Sequence, residues 1–325
     1  PGESLPAREA QLREMPMEAF TNGSEPFNGW FGRQSDGKVR TLVGMPREAA
    51  MVLIVNGLDS IVRLNPLALD VSSAQLTQAA QDNAARAAVA SAAGIGSIVL
   101  FNQPHVVAAD PAPWDKVPSL TLEKLPNRAT AKLAYDSQNL YVYCDVTDPT
   151  PFVNEGKDFT RLFKTGDAVD LQICTDPSAK KRDQPGPSDL RVVIAQFAGK
   201  PAAVLMKAVD PGAPKEKRVV YNSPVGNVTF ERVEVLADAK IVVKTTGHGY
   251  RLEAALPLAA LGLKPQLGQT IRGDVGVIFS DAQGRINTAR VYWSSQDTNL
   301  VSDLPQEARL YPATWGQFKF TAIGQ

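Results

Sequence analysis

Strict alternation of apolar and polar side chains in two nearby segments constrains the fold of this chain more than any other feature. In residues 140–146, one face of an extended chain carries Leu140, Val142, Cys144 and Val146. The other face carries Tyr141, Tyr143 and Asp145. In residues 169–173, Val169, Leu171 and Ile173 alternate in the same way with Asp170 and Gln172. A period of two is typical of a strand with one buried face, so the sequence predicts two strands with Tyr141, Tyr143, Asp170 and Gln172 facing outward.

The remainder of the chain also has a β character, with 24 glycines and 24 prolines in its 325 residues to supply turns. Further strands are predicted at 97–101, 189–196, 201–207, 228–235, 239–245, 250–256, 274–280, 290–294 and 316–321. A short helical turn is predicted at 257–261. Many short strands separated by turns favour a sandwich. We therefore predict a mainly β protein, with an antiparallel β-sandwich over residues 97–325.

The N-terminal part of the chain has a different pattern. Residues 1–37 are polar and predicted to be irregular. Residues 38–96 are predicted to form a small region packed on the main body, with strands at 38–43, 49–55 and 59–64. An alanine-rich helix is expected at 73–93, where serine can cap its start and Gly94 can close its end.

Composition and charge restrict the partners of the chain. Lysine plus arginine equals aspartate plus glutamate at 34 each, which gives no overall electrostatic attraction for nucleic acid or an anionic membrane. The sequence contains no run of 18 apolar residues, so it predicts no membrane span. Since the chain begins at Pro1 without a signal-like stretch, we expect a mature form or a piece of a longer protein. Cys144 and Cys174 lie on opposite faces of their strands, so two free thiols are expected.

Catalytic signatures are missing from the sequence. The only histidines are His105 and His248, and no G-x-S-x-G, HExxH or CxxC motif occurs. The possibility of the paired carboxylates of a glycoside hydrolase stays open, because the fold, and not their spacing in the sequence, brings such carboxylates together. The sequence therefore favours a protein without catalytic activity.

Four segments together resemble family 9 carbohydrate-binding modules and their relatives in the DOMON-like superfamily. They are AKLAYDSQNLYVYCDVTDP, GDAVDLQICTDP, GYRLEAALPLAALGL and the closing YWSSQ…WGQFKF. The resemblance covers about residues 98–322 and implies a β-sandwich that binds sugars without catalysis. One fold hosts many functions, so the resemblance is more specific for the fold than for the ligand.

The resemblance also implies where a sugar would bind. In the family, two tryptophans hold a sugar between them; the first position falls at Phe163 or Lys164 here and the second near Leu300. Neither position is tryptophan. Flat rings bury the apolar faces of a pyranose, so we predict a glycan on an exposed face or loop rim. Its predicted contacts are Phe163, Lys164, Arg161, Tyr141, Tyr143, Asp167, Gln172 and Leu300.

The resemblance implies two further possibilities, a structural calcium ion and a haem. Calcium prefers carboxylate and carbonyl oxygens, and its candidate ligands are Asp145, Asp148, Asp170 and Asp281. Some relatives hold haem between a methionine and a histidine or lysine, which points to Met206 and His248. The sequence itself requires no cofactor.

Four hypotheses of function follow. The first is a carbohydrate-binding module of a secreted multidomain protein, located outside the cell, in the periplasm or at the cell surface. The second is a structural or protein-interaction module that has lost the sugar site and contacts other domains of its parent chain. The third is a haem-binding redox domain, and the fourth is an enzyme whose site lies between the N-terminal strands and the sandwich.

Overall fold

The computed structural model describes residues 28–33, 39–44, 50–52, 94–223, 226–295 and 309–324. The chain divides into two compact units, Pro1–Asp82 and Asn83–Gln325. The predicted strand at 59–64, the predicted helix at 73–93 and the predicted site residue Leu300 all lie outside the described residues.

The described part of the first unit is a three-stranded antiparallel sheet. Its strands are β1 (Asn28–Arg33), β2 (Val39–Gly44) and β3 (Ala50–Val52), in that order. β2 and β3 confirm the strands predicted near these positions. The prediction that residues 1–37 are irregular is wrong at β1. Every residue of β1 pairs with a residue of β2, and this pairing outweighs the glycine content of the segment.

The second unit holds the remaining fifteen described strands. The first seven are β4 (Ile95–Leu100), β5 (Leu120–Lys124), β6 (Asn127–Tyr135), β7 (Asn139–Thr147), β8 (Ala168–Cys174), β9 (Asp189–Phe197) and β10 (Lys200–Lys207). The others are β11 (Val219–Ser223), β12 (Gly226–Phe230), β13 (Arg232–Val235), β14 (Lys240–Thr246), β15 (Gly249–Pro257), β16 (Thr270–Ser280), β17 (Asn287–Tyr292) and β18 (Gly316–Thr321). Short helices occur at Ala112–Trp114, Phe159–Lys164, Lys215–Lys217, Leu258–Leu261 and Pro312–Thr314. None of the described helices has the length and apolar character needed to cross a bilayer.

Thirteen of these strands form one curled sheet. Its main path is β13-β10-β9-β8-β16-β18-β4-β6-β7-β15-β14, with β17 on β16 and β5 on β6, while β11 and β12 form a separate hairpin. β10 contacts β14 near the other end of the path, so the sheet folds over on itself. The β-sandwich prediction is confirmed. The sheet is mixed, however, because β4 pairs in parallel with both β18 and β6, and no tight turn links it to either.

The inner face of the folded sheet carries the predicted apolar side chains. Val142 and Cys144 of β7 and Val169 and Leu171 of β8 are fully buried in one large core cluster. Cys174 is buried in a different cluster on the opposite face of β8, and both cysteines are free thiols. The period of two therefore assigned the inner faces of both strands correctly.

The outer face of the sheet is also covered in two places. Over β4, β6, β7 and β15, the segment 101–117 packs on the sheet through Phe101, Trp114 and Val117. Over β8, β9, β10 and β16, the cover consists of Leu162, Phe163, Tyr221, Phe230, Leu310 and Trp315. We call this second group the outer-face cluster. The side chains predicted to face outward are therefore buried under a second layer.

Candidate functional site

Tyr141 and Tyr143 do not line an exposed face, and the prediction of a sugar platform there is wrong. Their exposed fractions are 1% and 2%. The Tyr143 ring stacks on Trp114 with centroids 5.2 Å apart, and the Tyr141 hydroxyl donates to Asp136 Oδ2 at 2.7 Å. Burial is the main cause that raises the pKa of each tyrosine to about 12. A segment distant in sequence covers both rings.

Glu253 holds this covering segment on the sheet. The buried carboxylate accepts from the Ala108 amide at 2.8 Å and the Ala109 amide at 2.5 Å. It also accepts from Trp114 Nε1 at 3.0 Å and contacts His105 Nε2. Burial raises the pKa of Glu253, but these hydrogen bonds outweigh it and the pKa is lower than usual. Both carboxylate oxygens of Glu253 are thus bonded to groups of the covering segment, and the arrangement is structural.

Phe163 lies inside the outer-face cluster and not on a rim. Its exposed fraction is 1%, its ring meets Tyr221 edge-on at 5.4 Å, and the Arg191 guanidinium lies over it at 4.7 Å. It belongs to a short helix that Asp158 caps by accepting the Thr160 amide. The ring cannot stack on a ligand in this position, so this prediction is wrong for the same reason as that for the tyrosines.

A buried ion pair lies beneath Phe163. Arg191 donates to Asp170 through Nε at 3.0 Å and Nη2 at 2.6 Å, and the Tyr292 hydroxyl contacts the same carboxylate. Burial lowers the pKa of Arg191, and the adjacent Asp170 reverses this and holds the pKa above its usual value. The Asp170 carboxylate, predicted as a calcium ligand, thus accepts hydrogen bonds from protein donors.

Two further predicted residues, Gln172 and Asp167, are buried in hydrogen bonds. Gln172 Oε1 accepts from Trp315 Nε1 at 2.9 Å. Asp167 accepts from the amides of Val153 at 3.0 Å and Ser280 at 2.8 Å, and burial raises its pKa to about 7. Both side chains fasten neighbouring segments and are not available to a sugar.

Arg161 and Lys164 are the predicted contacts that solvent reaches. Arg161 has a half-exposed side chain, 3.7 Å from Asp158, and its guanidinium lies 5.9 Å from the centre of the Tyr221 ring. Lys164 is partly exposed. These two residues lie at the rim of the outer-face cluster, and their contact with a sugar stays a prediction.

The predicted calcium ligands are not brought together. Asp145 pairs with Arg251 Nε at 2.8 Å and His248 Nε2 at 3.1 Å. Asp281 accepts from the amides of its own turn, and Asp148 accepts from Thr150. Within the described residues, no three histidine, cysteine, aspartate or glutamate side chains are grouped as metal ligands would be. A calcium site stays a prediction.

The predicted haem ligands lie in different surroundings. Met206 of β10 is buried against the outer-face cluster. His248 lies in the turn between β14 and β15, with 52% of its side chain exposed. The haem hypothesis also stays a prediction.

An open cleft of about 410 Å³ lies beside the outer-face cluster. Its polar lining consists of Gln184, Asn227, Thr229 and Arg309, and its apolar lining includes Pro185, Val228 and Leu310. We call it the outer-face cleft. Its volume lies in the range of small-molecule sites. None of these residues was predicted as a contact, because no motif marks them and they come from three separate parts of the chain.

The local structure explains how the polar side chains from β12 and from residue 309 come to line the cleft. Asn227 and Thr229 alternate along β12 with Val228 and Phe230, which pack on the outer-face cluster. Two polar side chains therefore share the other face of this strand. Buried Leu310 ties the adjoining Arg309 to the same cluster.

Arg309 and Gln184 meet across the cleft. Arg309 Nη2 donates to Gln184 Oε1 at 2.7 Å, and its guanidinium lies 5.3 Å from the centre of the Tyr311 ring. Amide and hydroxyl groups can donate to and accept from the hydroxyls of a sugar, and a guanidinium can donate to them. The neighbouring apolar side chains can cover its C–H faces.

A second open cleft, of about 490 Å³, lies over the parallel pair β18 and β4. Ser97, Lys319 and Thr321 supply its polar groups, and Ile95 and Leu267 supply exposed apolar surface. Its described lining has no side-chain amides like those of Gln184 and Asn227 in the outer-face cleft.

Comparison with known proteins gives a structural likeness only. No protein-family model matches the sequence, and no curated protein sequence matches it. A family 9 carbohydrate-binding module from Caldicellulosiruptor kristjanssonii, solved in complex with cellotriose, is 17% identical with a TM-score of 0.46. The match covers 70% of this chain and 93% of that module.

A second solved structure of a family 9 module from the same organism, in complex with glucose, is 16% identical with a TM-score of 0.44. Here the match covers 69% of this chain and 95% of the module. Both are structures to which the chain is similar, at these values. At this level of identity the likeness concerns the fold and not the ligand.

Proposed function

We propose that this chain is a carbohydrate-binding module without catalytic activity, which binds a glycan in the outer-face cleft. The observation that carries the proposal is the combination of Gln184, Asn227, Thr229 and Arg309 in one open cleft that apolar residues also line. A sugar needs many hydroxyl partners and some apolar surface, and this lining offers both. The resemblance of residues 98–322 to family 9 modules supports the same function.

The proposal moves the site away from the position that the resemblance implied. Phe163, Tyr141 and Tyr143 are buried, so stacking between two rings does not support binding here. Hydrogen bonds from Asn227 and Thr229 replace stacking as the main source of affinity. Arg161 and Lys164 remain accessible on the same face of the sandwich and can contact a longer glycan.

In its parent protein, the module would hold the chain on a polysaccharide outside the cell, in the periplasm or at the cell surface. A glycan-binding module of this type raises the local concentration of a linked domain at its substrate. This role needs no chemistry from the module itself, in agreement with a sequence that lacks catalytic motifs.

Calorimetric titration with a panel of neutral and acidic oligosaccharides tests the proposal. We expect at least one to bind, and Asn227→Ala with Thr229→Val to weaken it about thirtyfold, since each hydrogen bond contributes about 1 kcal/mol and about 1.4 kcal/mol is a factor of ten. Ser97→Ala, in the second cleft, is the control and should bind as the wild type does. Absence of binding across the panel would contradict the proposal.

One observation favours the alternative of an interaction module. Ile95 and Leu267 border the second cleft with 61% and 58% of their surface exposed. Exposed apolar side chains grouped together often mark a contact with another domain. Under this alternative, Leu267→Asp abolishes association with the partner domain and no glycan binds.

A further inference from the structure

We infer that the outer-face cleft selects an acidic sugar residue, with Arg309 as the partner of its oxyanion. The inference rests on the proposed glycan binding and adds the class of glycan. The added point is the charge of the sugar. The neutral hydrogen-bonding groups of the lining do not by themselves distinguish an acidic sugar from an uncharged one.

The first observation is that Arg309 has no acidic partner among the described residues. Its contacts are the amide oxygen of Gln184 at 2.7 Å and the ring of Tyr311. By contrast, Arg182 and Arg251 each have an aspartate at 2.8 Å. The positive charge at the cleft is therefore not neutralised by a neighbouring carboxylate in the part of the chain that the structure describes.

The second observation is the charge of the lining as a whole. Gln184, Asn227 and Thr229 are neutral, and no aspartate or glutamate occurs among the described lining residues. Val228 and Leu310 border the same space with apolar surface. A charge next to apolar walls acts more strongly on an ion than it does in bulk water, so the described lining favours an anion.

The loop that supplies Gln184 adds no net charge. Exposed Lys180 and Lys181 are offset by exposed Asp176 and Asp183, and Arg182 is paired with Asp189. The attraction of the described lining for an acidic glycan therefore rests on Arg309, and it weakens as salt is added.

The geometry of Arg309 fits recognition of an oxyanion. Contact with Tyr311 and the hydrogen bond to Gln184 together fix the plane of the guanidinium. A guanidinium has five N–H donors in a planar fork, and this hydrogen bond uses one of them. The remaining donors can form two parallel bonds to a carboxylate or a sulfate, while Asn227 and Thr229 bind hydroxyls of the same sugar.

Calorimetry on matched ligands tests the inference with the full chain. The probes are trigalacturonic acid and its uncharged methyl ester, then a sulfated trisaccharide and its desulfated form, then sodium acetate and sodium sulfate. We expect one acidic trisaccharide to bind at least about tenfold more tightly than its uncharged form at low salt. Comparison of the two pairs tells a carboxylate ligand from a sulfate ligand.

Substitution at Arg309 assigns the effect to the cleft. Arg309→Gln should remove the preference, so that the acidic and the uncharged form bind with similar affinity, and Arg309→Lys should keep part of the preference. Arg285→Gln, an exposed arginine outside the cleft, is the matched control and should change neither affinity. Circular dichroism and the thermal midpoint verify that each variant is folded.

The outcomes separate the two proposals. If both forms of each pair bind equally, or if Arg309→Gln keeps the preference, the inference is wrong and the proposed function stands. If acetate or sulfate binds as tightly as the acidic sugars, the cleft recognises the anion alone and the inference is wrong. If no saccharide binds, the proposed function itself fails.

Discussion

Arg191 and Asp170 form an ion pair with two contacts, at 3.0 and 2.6 Å, between neighbouring strands β9 and β8. Their side chains are 1% and 0% exposed. A charge pair this deeply buried is weak support for stability as a whole, but each partner depends on the other. The pair lies under Phe163 and Tyr292 and fixes how the outer layer packs on the sheet.

Removal of one member of this pair should destabilise the protein strongly. Arg191→Met leaves Asp170 buried without its main partner and should lower the free energy of unfolding by about 3–5 kcal/mol. The double variant Arg191→Met with Asp170→Leu should recover most of this loss, because no uncompensated charge remains. Urea denaturation measures both. A loss below about 1 kcal/mol in the single variant would show that the pair is not buried.

Loss of the Glu253 carboxylate should loosen the segment over β7 and β15. Glu253→Gln keeps the shape of the side chain but replaces one acceptor oxygen with an NH2 group, which donates and cannot accept from Trp114 Nε1 or from the backbone amides. We expect a cost of about 2–3 kcal/mol and faster hydrogen exchange in residues 101–117. Glu123→Gln, at an exposed pair with Arg128, serves as the control. Unchanged exchange in this segment would contradict the assigned role.

Asp274 should make stability fall as the pH rises. It is buried, accepts from the amides of Val275, Ser294 and Ser295, and burial raises its pKa to about 7. The unfolded carboxyl titrates near pH 4, so between about pH 4 and 7 the native state holds a proton that the unfolded state releases. Stability is therefore lost as the pH rises through this range.

Comparison with Asp274→Asn isolates this effect, since asparagine does not titrate. The wild type should lose about 2–4 kcal/mol relative to the variant between pH 4 and 7. Urea denaturation at a series of pH values measures the difference. A difference that is constant with pH would mean that Asp274 is ionised in the folded protein throughout.

Gly249 should tolerate no side chain. Its φ is 152°, and an added Cβ would lie 2.1 Å from the carbonyl oxygen of Val146 and 2.7 Å from the amide of Asp148. Gly249→Ala should cost about 2 kcal/mol or more, because neither backbone atom can move without breaking the pairing of β15 with β7. Gly247→Ala, in the same turn, meets nothing within 4 Å and should change the thermal midpoint little.

The inner face of the sandwich follows from the sequence, but its outer layer does not. The period of two placed Val142 and Leu171 in the core, because alternation determines which side chains share a face. It does not tell whether the other face meets water. Trp114 covers Tyr143 from a segment 29 positions earlier, and such contacts leave no local pattern.

The candidate site was harder to predict for a related reason. Asp170 resembles a solvent-facing residue of a strand until Arg191 is found beside it on the next strand. Gln184, Asn227 and Arg309 lie far apart in the chain and belong to no motif. Only the folding of separate loops on the outer-face cluster brings them together.

Observation of amide chemical shifts during a titration with trigalacturonic acid tests the location of the site most directly. If the outer-face cleft binds the glycan, the largest shifts fall at Gln184, at residues 227–229 and at Arg309. Shifts confined to residues 95–97, 267–268 and 319–321, around the second cleft, would contradict this location. Unchanged spectra at saturating concentrations of every member of the panel would contradict glycan binding itself.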